Sequence, residues 1–390
     1  MHLLVGIDDI NLSGTATTLC GTCLALLALG HTVTIAVFCE FRHSDPVLLD
    51  ILRGAGAQIL SMRHSGRRYD LWAFLCAVWN TRRELRRLRP DVVHAHSFLF
   101  EQALHFGFPL GRPVVATIHT DRPEWGSRKV QHRLRDWLTR RFYMLQTTRL
   151  IVVSDALWAH ARKAVRVDGK TADIIWNGLD AVWFEPLAED SVRDIEVIHV
   201  ARADSNKNHM TTIYALSILA RRGLRVKAVL AGDGPELERI RSAVHDFGLA
   251  EHVQCPGRTY DPRRLYRNSM IALAPSQYEG FDRALGEAAS SGCAILASNI
   301  PAHCELLDNG RVGGLLPPDD PEIWANEIER LLADVETRQR AAQTARSWAE
   351  QRLSFNEYLV KHLALYAQLA SFASGRRRRR RRWGWTRART

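Results

Sequence analysis

Short apolar runs, each followed by a helix-length segment, constrain this chain more than any other feature. LLVGID, TVTIAVF, VVHAHS, PVVATIH and LIVVS are rich in β-branched residues and read as buried parallel strands. Between them lie longer periodic stretches such as TTLCGTCLALLALG and YDLWAFLCAVWNTRRELRRL. Alternation of this kind means βαβ units and a doubly wound sheet. After WNGLDAVWFEP, which carries Asn-Gly and Pro turn signals, the pattern restarts with DIEVIHVAR, RVKAVLAGDG, HVQCPG, MIALAPS and AILASN.

The sequence therefore predicts an α/β fold of two Rossmann-like doubly wound domains facing across a cleft. Residues 1–180 form the first domain and 181–355 the second. A helix over 356–373 returns toward the first domain, and an arginine-rich tail over 374–390 is expected to be disordered. Segments 321–334 and 336–373 read as helices. With 390 residues the chain has room for two cores.

No apolar run reaches the roughly 18 residues a membrane-spanning helix needs. The start, MHLLVGIDD, lacks a basic region and meets two acids by position 9, so it does not read as a signal peptide. Seven cysteines, scattered from Cys20 to Cys304, suggest free thiols in a reducing compartment; Cys20 and Cys23 read as core thiols. A cytoplasmic location follows, with peripheral contact at the inner face of the plasma membrane as an extension. Residues 1–180 hold 23 basic and 16 acidic groups, 181–375 hold 21 and 26, and 376–390 hold nine arginines and no acid. A basic first half and tail prefer an anionic partner.

Ligands of open α/β sheets bind at the carboxyl ends of the strands, so the site residues should follow strand-like runs. Two constellations do. In HVARADSNKNHM, Arg202 and Lys207 follow the first strand of the second half, as two solvated cations or as a pair on a diphosphate. In YEGFDRALGE, Glu279 and Glu287 bracket Gly280 just after MIALAPS. Carboxylates there accept hydrogen bonds from sugar hydroxyls, and N–H groups at the helix start suit a phosphate.

These stretches resemble the retaining glycosyltransferases of the GT-B fold known as family 4, or group 1. The likeness spans nearly all of residues 1–370. VARADSNKNH resembles that family's phosphate loop, AGDGPELERI its strand-turn-helix, and PSQYEGFDRALGEAASSGCAILAS its paired-glutamate motif. DVVHAHS, VVATIHT, LIVVSDA and WNGLD match in order as well. The resemblance implies that Arg202 and Lys207 neutralise the diphosphate of a UDP- or GDP-sugar donor. Glu279 would bind hydroxyls of the transferred sugar and Glu287 the ribose. Backbone N–H groups around Phe281, Asp282, Arg283 and Ala284 would meet the phosphates. Gly14 would let the first loop approach donor and acceptor, and His119 would lie near the reacting carbon.

The implied reaction moves a sugar, with retention, to a hydroxyl acceptor in lipid-linked glycan or cell-surface polysaccharide synthesis. No metal or other cofactor is required, because cations already face the diphosphate. Transfer to a small soluble metabolite is the alternative within the fold. A nucleic-acid-binding protein using the basic tail is the rival from another class, and the less favoured one. Two departures bear on the donor: Ser13 stands where the family commonly has a second glycine, and Asp282-Arg283 replaces smaller or apolar residues. Asp8-Asp9 reads as a loop feature rather than a metal site, and His94-x-His96 as strand-end histidines. Tryptophans interleaved with Arg82, Arg83, Arg86, Arg87 and Arg89, and with Arg128, Lys129, Arg133, Arg135, Arg140 and Arg141, suit either an ordinary solvated helix or an anionic lipid surface.

Overall fold

The computed structural model describes residues 1–11, 13–65, 70–106, 111–120, 130–145, 147–167, 172–186 and 193–384. The chain forms two compact units, Met1–Trp176 with Asn356–Thr390, and Asn177–Phe355.

The first unit is built on seven parallel strands: β1 (His2–Ile7), β2 (Thr32–Cys39), β3 (Gln58–His64), β4 (Val92–Ala95), β5 (Val114–Ile118), β6 (Arg149–Val152) and β7 (Ala172–Ile174). Their order is β3-β2-β1-β4-β5-β6-β7. Side chains of β1, β2, β4 and β5 are almost wholly buried, as a sheet covered by helices on both faces requires. The order reverses between β1 and β4, which pair directly in parallel, Leu3 opposite Val92. Such a reversal opens a crevice at the strands' carboxyl ends.

The second unit repeats the plan with β8 (Ile195–Val200), β9 (Ala228–Ala231), β10 (Val253–Gly257), β11 (Ser269–Ala274), β12 (Ala294–Ser298) and β13 (Gly314–Leu316). Here the order is β10-β9-β8-β11-β12-β13, reversing between β8 and β11. Its core includes Val197, Ile213, Leu230, Ile271, Leu296 and the fully buried Trp324. Helices begin where the sequence supplies a cap. Asp45-Pro46, Asp261-Pro262 and Asp320-Pro321 each place an acceptor at the N-cap and a proline at the first helical position.

One expectation for the carboxyl-terminal region is corrected. The single helix expected over 336–373 is broken: one helix spans Val335–Arg352 and another starts at Phe355. The break is held by backbone pairing, since Leu179 N–H donates to the Leu353 carbonyl (2.7 Å) and Phe355 N–H to the Leu179 carbonyl (3.1 Å). The last helix continues to Gly384 and takes in the backbone of the arginine run at 376–382. Arginine is among the better helix formers, and the run contains no glycine or proline to stop it. Residues 385–390 lie outside the described residues.

Candidate active site

In the second unit, the chain leaves β8 through Ala201–Asn208 and leaves β11 through Pro275–Asp282. These adjacent strands flank the reversal, so the two loops meet above it. Asn206 fastens them together. Its side-chain amide donates to the Tyr278 carbonyl (3.0 Å) and accepts from Tyr278 N–H (3.1 Å), and its own carbonyl accepts from Gln277 N–H (2.9 Å). The β8 loop is also pressed against the turn after β9. Gly232 has φ +146°, and a Cβ there would stand 1.7 Å from the Ala201 carbonyl oxygen. Gly232→Ala is therefore expected to destabilise the protein by about 2 kcal/mol or more and to displace the Lys207 loop. A melting curve checks the first effect, and ligand-induced stabilisation checks the second.

Through this clamp Lys207 reaches Glu279, with Nζ against Oε1 in a close ion pair. The side chains are 20 % and 10 % exposed, so the pair is largely removed from water. Burial works against the lysine's charge, but Asp282 and Glu279 outweigh it and hold the ammonium above its ordinary pKa. Asp282 responds to the same neighbours. Burial would raise its pKa, yet Lys207, His303 and the Ala284 N–H hold it well below the usual carboxylate range. Glu279 is raised: burial leads, Lys207 opposes, and Asp282 adds to the rise. One ammonium shared by two acids thus keeps Asp282 ionised and leaves Glu279 the more easily protonated.

Asp282 has a second task. It is the N-cap of the helix Arg283–Ser290, accepting from Ala284 N–H (3.1 Å), and its other oxygen lies 3.3 Å from His303 Nε2. His303 is fully buried and fixed on its far side by Ser298. The Ala284 N–H, expected to meet a phosphate, is engaged by this cap. Arg283 turns the opposite way, bonding Glu287 (2.8 Å) and the Gly178 carbonyl (2.9 Å) from within the core. Glu287 is raised by burial, against the opposing charge of Arg283. Gly280 and Phe281 complete the loop between Glu279 and Asp282.

Lys207, Glu279 and Asp282 therefore form one cluster, and Arg283 with Glu287 another on the same short helix. Arg202 does not join the first: its guanidinium is 68 % exposed and lies 3.8 Å from Asp204. Sequence reasoning missed Asn206 and His303, because the partners that fix them, Tyr278 and Asp282, lie far away along the chain. WNGLD, noted for its turn signal and as a family motif, supplies the Gly178 carbonyl.

In the first unit, Gly14 opens the helix Gly14–Ala28 and Ser13 is its N-cap, accepting from Ala16 N–H (3.3 Å). The residue that departs from the family pattern thus has a capping role. Asp8 accepts from Ser97 Oγ (2.6 Å) and Phe100 N–H (3.1 Å), fixing the start of the helix Phe98–Phe106. His119 follows β5, with Nε2 2.8 Å from His96 Nδ1, while its buried Nδ1 has no partner. His94, in β4, lies between Tyr366 OH (2.6 Å) and Thr117 Oγ1 (2.7 Å). Among the described residues, no three His, Cys, Asp or Glu side chains converge as a metal-binding group.

Two family models cover most of the chain: Glycosyltransferase Family 4 matches residues 12–183, and Glycosyl transferases group 1 matches 187–348. Glycogen synthase from Mycobacterium tuberculosis is 27 % identical over 282 residues, 67 % of this chain and 64 % of that protein. The matched stretch thus falls short of two thirds of that relative's length. Putative glycosyltransferase EpsF from Bacillus subtilis is 26 % identical over 66 % of this chain and 71 % of its own length. Among solved structures, HepE from Anabaena in complex with UDP and glucose superposes with a TM-score of 0.78 at 19 % identity, covering 95 % of this chain and all of that one. Both halves carry the family's sequence pattern, and both units are Rossmann-like, built on parallel sheets whose order reverses once. The chain belongs to the GT-B glycosyltransferases of family 4, group 1.

Proposed function

We propose that this protein transfers a sugar from a nucleoside-diphosphate sugar to a hydroxyl acceptor, with retention at the sugar carbon. The observation that carries this reading is the Lys207 ammonium, held charged between Glu279 and Asp282 at the switch point of the second sheet. In the reaction the bond from the anomeric carbon to the diphosphate oxygen breaks. The acceptor oxygen bonds to that carbon from the same face, and its proton passes to the departing diphosphate. Positive charge develops on the sugar and negative charge on the diphosphate. Lys207 neutralises the second, and Arg202, exposed beside Asp204 on the same loop, closes on the same phosphates. Glu279 accepts hydrogen bonds from the sugar, and Glu287, oriented by Arg283, accepts them from the ribose. The fixed cations supply the charge a metal would otherwise supply, so the reaction runs without one.

UDP is the favoured nucleotide, supported by the UDP present in the Anabaena HepE structure. A polysaccharide or lipid-linked glycan is the favoured product, in keeping with relatives named for glycogen and for Eps. A panel of nucleotide sugars tests the proposal. The cognate donor at 100 times its Kd raises stability by about 2.7 kcal/mol, visible as a higher Tm, and is slowly hydrolysed in excess chelator. Absence of stabilisation by every UDP- and GDP-sugar would refute the donor assignment, and loss of turnover with chelator would refute the metal-free route.

A further inference from the structure

Among the described residues of the first unit, the strongly exposed tryptophans and several exposed leucines lie on two helices, and arginines continue the same strips. On Leu71–Leu88, the residues Leu71, Trp72, Leu75 and Trp79 fall within ~100° of the helix circumference. They are strongly exposed, Trp72 by 77 % and Trp79 by 65 %. Farther along, Arg82 and Arg86 occupy the same sector and Arg83 borders it. The helix Val130–Leu145 shows the same composition: Leu134, Trp137 and Leu145 are exposed beside Arg133, Arg140 and Arg141, with the Arg141 guanidinium 5.0 Å over the Trp137 ring. Arg128, Lys129 and Trp125, which precede this helix, lie outside the described residues, as does the Arg135 side chain.

Topology places both strips on one side of the sheet. After β3, the crossovers to β4, β5 and β6 all run in the same direction, and right-handed crossovers then put their helices on one face. The helix Phe98–Phe106 lies between the two and packs on each, with Phe106 meeting Phe74 edge-on at 6.0 Å and itself half exposed. Exposed tryptophan and leucine interleaved with arginine is unfavourable toward water alone. It suits a plane that is anionic at its surface and apolar a few ångströms below, where indoles sit at headgroup depth and arginines meet lipid phosphates. No helix among the described residues is long and apolar enough to cross a membrane, so such contact lies along the surface. Glu84, the acid nearest the arginine strip, is turned inward onto Arg83 and Arg87 and leaves the outer face positive.

We infer that the helices Leu71–Leu88 and Val130–Leu145 form a docking face for an anionic lipid bilayer. The face acts independently of the arginine tail and of the sugar-transfer chemistry. The test uses the full chain with Arg376 to Arg382 changed to serine, co-sedimented with phosphatidylcholine vesicles with and without an equal part of phosphatidylglycerol. Binding is expected only to the anionic vesicles. Arg86→Ser with Arg140→Ser, one from each helix, should weaken it about thirty-fold, from about 1 kcal/mol per arginine at 1.4 kcal/mol per factor of ten. Trp72→Ala with Trp79→Ala should weaken it at unchanged net charge and leave the melting temperature in place. Loss of all binding when the tail is neutralised overturns the inference. So does full binding by either double variant, or release of an anionic-vesicle complex in favour of a dimer paired through these tryptophans.

Discussion

Lys207→Ala is expected to lower the rate of sugar transfer by about 10²- to 10³-fold, the usual cost of removing one preorganised donor to a developing anion. The same change leaves Glu279 and Asp282 buried without their cation. Breaking a buried ion pair on one side costs roughly 3 kcal/mol of stability, read as a lower Tm and denaturation midpoint. The two effects separate in a double variant. Lys207→Met with Glu279→Gln removes both charges of the close pair while keeping similar volumes, and stability should recover in part, with Asp282 left to His303. The rate should not return, because the exposed Arg202 alone then faces the diphosphate. A double variant that regains turnover would show that the lysine only steadies a carboxylate, and the phosphate assignment would fall.

The second large effect is acid sensitivity of the first unit. His94, His96, His119 and His362 are held neutral, burial being the leading cause in each, with His119 lowered to about 3 and His362 to about 4. The unfolded chain takes up these protons near pH 6.5, while the native protein resists until the lowered values are reached. Between pH 6.5 and about 4 the unfolded state therefore binds more protons, and stability falls as pH falls. At about 1.4 kcal/mol per pH unit, one such histidine costs about 2 kcal/mol by pH 5. Together they draw on a large share of the roughly 5–15 kcal/mol typical of a folded domain. Denaturant titrations at pH 7 and pH 5 measure the loss. His362→Gln, which cannot titrate and keeps a donor for the Tyr358 carbonyl, should shrink it. Equal losses in parent and variant would remove His362 from the account.

These histidines mark what the sequence conveys and what it does not. The strand ends were legible because a buried parallel strand is a contiguous apolar run, and the residues just past it are placed by topology alone. Lys207 and Glu279 were singled out for that reason, whereas Asp282 was noted only through the family resemblance, as a backbone N–H and as a departure from the usual pattern. The direction of a side chain within a loop is not periodic, so the separation of Arg202 from Lys207 had no trace in the spelling. Neither had the pairing of Asp282 with His303, whose closeness depends on β11 lying beside β12. His94 and Tyr366 are 272 positions apart and meet only because the last helix returns to the first unit. The break at 353–354 lies beside the boundary expected at 355–356, but its cause was hidden, since Leu179 supplies strand-like partners from far upstream.

That pairing of Leu179 with Leu353 and Phe355 brings the entry and exit of the second unit within one peptide's reach. A segment with its two ends stitched together behaves as a cassette: residues 177–355 can be spliced into a surface loop of an unrelated host, or closed tail to head, without stretching either terminus.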